Sequence, residues 1–193
     1  MYEIEIKFKF KSKNVAEAEE RLKSLNLKWN LPITQKDRIF LSKTMKEYKI
    51  VEGTQILRIR EEIKNEVCLK KVLTMKIQQE NALESREFES KIDDTEQIKS
   101  IIEELGFNEF VCVEKTRKKS QFNQYNLCLD EVKGLGVFLE IEFLSQEKVN
   151  ALEIQQEMIN WVRTLELGDF EISKIPYDTQ IYLKSLGLVA KQH

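Results

Sequence analysis

The chain has 193 residues, 41% of them apolar and 33% charged, enough for one soluble domain with a buried core. Lysine and arginine total 31 against 33 aspartates and glutamates, which argues against a bulk nucleic-acid binder. No apolar run reaches the roughly 20 residues that cross a bilayer and no secretory signal opens the chain, so a cytoplasmic protein with no membrane and no nucleic-acid partner is expected.

In chain order, alternating segments predict strands over 2–10, 34–41, 54–62, 66–77, 84–92, 108–120, 123–131 and 136–144. Helical periodicity predicts helices over 14–27, 94–105, 147–166 and 178–186. Asp94 with Gln97 forms a capping-box pattern, Gly106 marks a helix stop, and KGLG at 133–136 reads as a hairpin connection. The stretch 42–53 has little apolar content and is expected to form a mobile flap.

The order strand, helix, three strands occurs twice, and the residues repeat with it. Glu3, Glu5 and Lys7 of EIEIKF align with Glu87, Glu89 and Lys91 of EFESKI. LRIRE at 57–61 aligns with LCLDE at 127–131, and LTMK at 73–76 with LEIE at 139–142. One domain over 1–193 is expected, with repeat halves at about 1–83 and 84–145 and C-terminal helices over 146–187. Eight antiparallel strands suffice to close a barrel, which gives an α+β fold with pseudo-twofold symmetry and the helices packed outside.

Several chemistries are excluded early. The single histidine is the last residue, His193, which removes Ser-His-Asp, Cys-His and His-zinc sites. The six glycines form neither GxGxxG nor GxxxxGK[ST], so any bound phosphate must be held by side chains. Cys68, Cys112 and Cys128 are odd in number and scattered, as expected of buried, reduced thiols.

What remains is charge alternating with grease. Arg58 and Arg60 flank Ile59, Thr74 and Lys76 flank Met75, Lys115 and Arg117 flank Thr116, and Glu140 and Glu142 flank Ile141. Asp130 closes NLCLD, whose Leu127 and Leu129 take the other face. Two arrangements fit. Either the apolar faces form the barrel interior and the charges are solvated outside, or the barrel is inverted, with a charged lumen and an apolar exterior. The helical stripes Ala18, Leu22, Leu25 and Ile98, Ile101, Ile102, Leu105 need an apolar surface to cover, which favours the second. Clustered carboxylates suit a hard divalent cation, Mg²⁺ or Mn²⁺, and clustered Arg and Lys suit a polyanion. A metal-bound polyphosphate calls for both.

The spaced ExExK start, the LRIR strand, the LTxK strand, KxR and GLGVFLEIE together resemble the CYTH superfamily, the triphosphate tunnel metalloenzymes. QKDRIF, with Asp37 and Phe40, is similar to that family's QxDxYF. The absence of an ERK form, the KGLGVFLEIE hairpin and IPYDTQIYLKSLGL are most like the class IV adenylyl cyclases, although Pro176 stands where their terminal segment has serine and Lys184 interrupts its pattern. The resemblance implies triphosphate ligands Lys7, Arg58, Arg60, Lys76, Lys115 and Arg117. It implies metal-binding carboxylates drawn from Glu3, Glu5, Asp130, Glu140 and Glu142, with Glu87 and Glu89 on the same wall. Glu3, Glu5, Lys7, Lys76, Glu140 and Glu142 form the catalytic set. Lys91 is not taken as a ligand, and Lys118 and Lys119 are expected to be solvated loop charges. Glu140 is expected to be removable with little loss of folding, because its loss would relieve repulsion.

The implied activity is metal-dependent conversion of ATP to cyclic AMP and pyrophosphate, by a monomer or homodimer. The alternative is hydrolysis of tripolyphosphate, thiamine triphosphate or a nucleoside triphosphate. A non-catalytic polyphosphate- or nucleotide-binding module is the third reading, disfavoured by so many anions near the ligand.

Overall fold

Period-two alternation sets the architecture: one face of each strand is apolar and the other charged. The computed structural model describes residues 1–11, 14–45, 50–80, 83–165, 167 and 169–188. In chain order it has β1 (Tyr2–Phe10), α1 (Val15–Arg21), a 3-10 turn (Lys23–Leu25), β2 (Ile33–Ser42), β3 (Gln55–Lys64) and β4 (Val67–Gln78). Then follow β5 (Glu84–Lys91), α2 (Thr95–Glu104), β6 (Phe107–Phe122), β7 (Tyr125–Val132), β8 (Gly136–Ser145), α3 (Ala151–Arg163), β9 (Phe170–Ser173) and α4 (Tyr177–Ser185).

The antiparallel order β5-β4-β3-β2-β6-β7-β8-β1 closes on itself when β1 pairs with β5, which makes an eight-stranded barrel. The seam is shared. β5 covers Tyr2–Ile4 of β1, and β9 covers Lys7–Phe10 farther along. Turn chemistry supports the ladders. Asn65 and Glu66 both take left-handed φ, at 49° and 65°, as a two-residue hairpin between β3 and β4 requires.

The outward face is the core. Ala18 of α1, Leu22 just after it, and Met158 and Val162 of α3 pack on Phe8, Leu127, Leu129, Leu139 and Ile141. Ile102 and Ile98 of α2 pack on Phe40, Leu57 and Ile59. Each fully buried side chain of this kind stabilises the fold by about 1.5–3 kcal/mol. The lumen is not charged throughout: Ile39, Ile56, Val113 and Phe138 also point inward, and α4 packs on them through Tyr177 and Ile181. That end of the barrel is apolar and covered by a helix.

Several expectations need correction. The helix read over 14–27 gives way to the 3-10 turn after Arg21, and left-handed Asn26 (φ 48°) ends it. Asp94 caps α2 as expected, accepting from the amides of Glu96 and Gln97. Ile101 and Leu105, however, are exposed and do not cover the barrel. The four-residue strand β9 is not among the expected strands, since so short a run carries no clear alternation. Cys128 is buried, but Cys112 is only half-buried and Cys68 is exposed; all three are free thiols. Of the proposed flap at 42–53, residues 46–49 lie outside the described residues, as does His193. Among the described residues no helix is long and apolar enough to cross a membrane.

Because the apolar exterior is the true core, Leu129→Ala, at a position 1% exposed, should cost about 2–5 kcal/mol. Urea unfolding monitored by circular dichroism measures it.

Candidate active site

Residues two apart on a strand share a face, so the pleat alone aims Glu3, Glu5 and Lys7 of β1 into one space. That space is a cavity of about 500 Å³ lined by Glu3, Glu5, Lys7, Asp37, Arg58, Arg60, Lys76, Glu87, Glu89, Lys115, Arg117, Glu140 and Glu142, among others. The ring order places β3 four strands from β8 in either direction, and β2 four from β1. A basic wall, Arg58 and Arg60 on β3 continued by Lys115 and Arg117 on β6, and an acidic wall, Glu3 and Glu5 on β1 with Glu140 and Glu142 on β8, line the same lumen. β3 stands directly across from β8, whereas β6 is two strands from β8 and its Arg117 reaches Glu140 and Glu142 from the side.

Neighbouring strands pair some of these charges. Arg60 donates Nε and Nη2 to the two Asp37 oxygens, each at 2.6 Å. Arg117 forks onto Asp130 at 2.6 and 2.5 Å, and reaches Glu140 at 2.5 Å and Glu142 at 3.2 Å. Lys7 lies between Glu5 and Glu140, and Lys76 between Glu3 and Glu87. Two cations are less well satisfied. Arg58 donates to Thr74 at 3.1 Å and Glu89 at 3.4 Å, but its buried Nε has no partner. Lys115 reaches one carboxylate among the described residues, Asp130 at 3.4 Å.

The acidic wall carries the opposite imbalance. Glu5 and Glu142 are direct cross-strand partners in the β1–β8 ladder, a like-charge pair that costs stability. Burial and the nearby Glu3 charge push the Glu142 carboxyl up to about 8 in spite of Arg117. Burial also raises Glu5, outweighing Lys7. Burial would raise Glu3 and Glu140 too, but Lys76 holds Glu3 at about 2, and Arg117 with Lys7 holds Glu140 well below the carboxylate range. Glu140 is thus stabilised by its partners, and the repulsion expected there resides at Glu142. On the basic wall, burial and the Arg117 charge together pull Lys115 below the usual lysine value.

The donor set fits a hard divalent cation. Cys128 Sγ and carboxylate oxygens of Glu140 and Glu142 lie within 4.8 Å of one another. The thiol's pKa stands well above normal, raised by burial, and its sulfur lies 3.6 Å from Glu142 Oε1 as a hydrogen-bond donor. That leaves the Glu140 and Glu142 carboxylates as oxygen donors of the kind a hard divalent cation takes.

Of the triphosphate ligands and carboxylates expected from the sequence, all but Asp130 line the cavity. Asp130 is fully buried behind the wall, where it orients Arg117. Lys91 is exposed. Lys118 and Lys119 are not loop residues: both are in β6, Lys118 pairing with Glu19 at 2.6 Å and Lys119 lining the cavity. Its spacing from Lys115 and Arg117 could have revealed Lys119. Asp37 stood out only by resemblance, and Tyr177 not at all as a site residue. Tyr177 enters the lumen from α4, and no periodicity in the sequence aims it there.

Residues 1–176 match the CYTH domain. The chain belongs to the CYTH family. It is 30% identical over 178 residues to a protein of Methanocaldococcus jannaschii named putative adenylate cyclase, covering 92% of this chain and 97% of that one. Among solved structures, a Pyrococcus horikoshii protein superposes with TM-score 0.74 at 25% identity, over 94% of this chain and 99% of the other. A putative adenylate cyclase from Vibrio parahaemolyticus shares the fold at TM-score 0.66 and 16% identity, over 89% and 93% of the two chains. The CYTH family comprises triphosphate tunnel metalloenzymes, and the barrel, inward charge and acidic cluster of this chain accord with that membership.

The Asp37–Arg60 pair gives the acid limb of stability its sign. Burial would raise the Asp37 carboxyl, but the Arg60 charge and hydrogen bonds hold it far below its ordinary 3.8. Its contribution is therefore complete above that value and is lost as the pH falls below it. Melting temperature recorded from pH 6 down to 2 should fall less steeply in Asp37→Asn, which has no such proton to take up.

Proposed function

We propose that this chain is a class IV-type adenylyl cyclase, converting ATP to cyclic AMP and pyrophosphate in the barrel lumen. The observation that carries the reading is the pair of opposed walls in one cavity, guanidinium and ammonium groups facing a carboxylate cluster that is itself short of cations. The M. jannaschii relative's name supports the cyclase over other triphosphate chemistries.

Arg58, Arg60, Lys115 and Arg117 bind the phosphate oxygens, the arginines as planar forks and the lysines as point charges. Asp37 and Asp130 hold Arg60 and Arg117 in fixed orientation, so little side-chain freedom is lost on binding. Glu3, Glu5, Glu140 and Glu142 would hold Mg²⁺ or Mn²⁺, with Glu87 and Glu89 beside them. When bound, that metal supplies charge neutralisation along the phosphates and a more acidic attacking hydroxyl. Lys7 and Lys76, set among the carboxylates, place positive charge where pyrophosphate departs. The ribose 3′-oxygen bonds to the α-phosphorus, the α–β bridge breaks, and the hydroxyl proton is released. Barrel walls keep bulk water from competing for the phosphorus.

Incubation with ATP, thiamine triphosphate and tripolyphosphate in parallel, with Mg²⁺ or Mn²⁺, should give cyclic AMP and pyrophosphate from ATP. Orthophosphate release from any of the three would instead establish a triphosphatase, and no product would leave a binding module. EDTA should abolish turnover, and added metal should restore it. Arg58→Ala should raise the Michaelis constant about tenfold by removing a charged phosphate contact. Glu140→Gln should lower turnover about 10–100-fold or more, and should also lower the melting temperature, because Arg117 and Lys7 lose a partner. Steady-state kinetics and thermal melts read both.

A further inference from the structure

Tyr177 is the first residue of α4 and sits, 6% exposed, where that helix meets the cavity. Its ring is well anchored. Phe138 meets it edge-on at 5.0 Å, and the ammonium groups of Lys7 and Lys115 each lie 5.1 Å from its centre. Its hydroxyl is the anomaly: a buried oxygen with no hydrogen-bond partner among the described residues. An unsatisfied buried hydroxyl destabilises the fold, and a phenylalanine of the same shape would avoid the cost. Something other than ring packing accounts for the phenol.

The surroundings indicate what it meets. Two lysines from different strands, Lys7 on β1 and Lys115 on β6, lie over the ring, and Lys115 has a long ion pair, to Asp130 at 3.4 Å. Burial and the charges of Asp130 and Glu140 raise the phenol's pKa well above 10, so it stays protonated and offers a donor. A proton donor whose ring has two ammonium groups 5.1 Å from its centre, lining the same cavity as both, is complementary to a multiply charged oxyanion.

We propose that the Tyr177 hydroxyl is a ligand-contacting, specificity-determining group that donates a hydrogen bond to a phosphate oxygen of the bound polyphosphate, alongside Lys7 and Lys115. The inference deepens the function proposed above and rests on polyphosphate binding in this lumen. It also gives α4 a role beyond covering the barrel end. The helix carries one contact of the anion site, so a bound polyphosphate is linked to the C-terminal helix as well as to the strands. Anions too short to reach the Lys7–Lys115–Tyr177 end lose that contact.

The test is Tyr177→Phe, which keeps the ring, its edge-on contact and its position over both lysines. Calorimetric titration with imidotriphosphate, a non-hydrolysable tripolyphosphate analogue, in the presence of Mg²⁺ should show affinity reduced about tenfold or more. The melting temperature without ligand should be unchanged or higher, since an unpaired hydroxyl has been removed. The rise in melting temperature produced by imidotriphosphate should shrink in the variant. Equal affinity in wild type and Tyr177→Phe would overturn the inference while leaving the polyphosphate site intact. A lower ligand-free melting temperature with unaltered affinity would likewise show a purely structural hydroxyl. Failure of the wild-type protein to bind imidotriphosphate would overturn the inference and the polyphosphate reading together.

Discussion

Glu5 and Glu142 sit opposite each other on adjacent strands of a closed barrel, where neither can turn away to bulk water. On an open surface such a pair would cost little, because solvent and salt screen it. Inside a ring of eight strands the same two carboxylates must share a proton, a lysine or a metal ion. Lys7 goes to Glu5 and Glu140, and Arg117 divides itself among Asp130, Glu140 and Glu142. The acidic wall is left with more charge than its own cations neutralise.

The fold is arranged so that the deficit can exist. Strand alternation turns the apolar residues outward, and α1, α2 and α3 cover them, so hydrophobic burial does not require a greasy barrel interior. The lumen is thereby free to hold ions at the positions where side chains are most rigidly placed. The two walls differ in how settled they are. Asp37 and Asp130 lock Arg60 and Arg117 as oriented forks, whereas Arg58 and Lys115 retain unfilled capacity. An anion entering from the mouth meets fixed donors and unspent ones together. A phosphate chain is the anion whose spaced oxygens could use both.

Much of this was legible in the sequence because a strand's period of two admits only two answers for each side chain. Once EIEIKF, LRIRE and FLEIEF are strands of one barrel, the facing of Glu5, Arg60 and Glu142 follows from parity, and the helical stripes decide which face is inward. The eight barrel strands were found nearly to the residue for that reason. What parity cannot supply is depth and partnership. Asp130 has the right parity but lies behind Arg117, and Glu140 reads as crowded although two cations relieve it. Tyr177 enters from a helix that crosses the barrel end, a long-range arrangement with no local pattern. Ile101 and Leu105 extend a convincing stripe beyond the surface that α2 covers. β9 is too short to alternate.

The like-charged Glu5–Glu142 pair is most directly tested by titrating the protein and Glu142→Gln with Mn²⁺, following the bound ion by electron paramagnetic resonance and the melting temperature in the same samples. The wild type is expected to bind Mn²⁺ and to melt higher when loaded, while Glu142→Gln binds weakly and, without metal, melts above the wild type. A wild-type protein indifferent to Mn²⁺, or a glutamine variant less stable than its metal-free parent, would contradict the account.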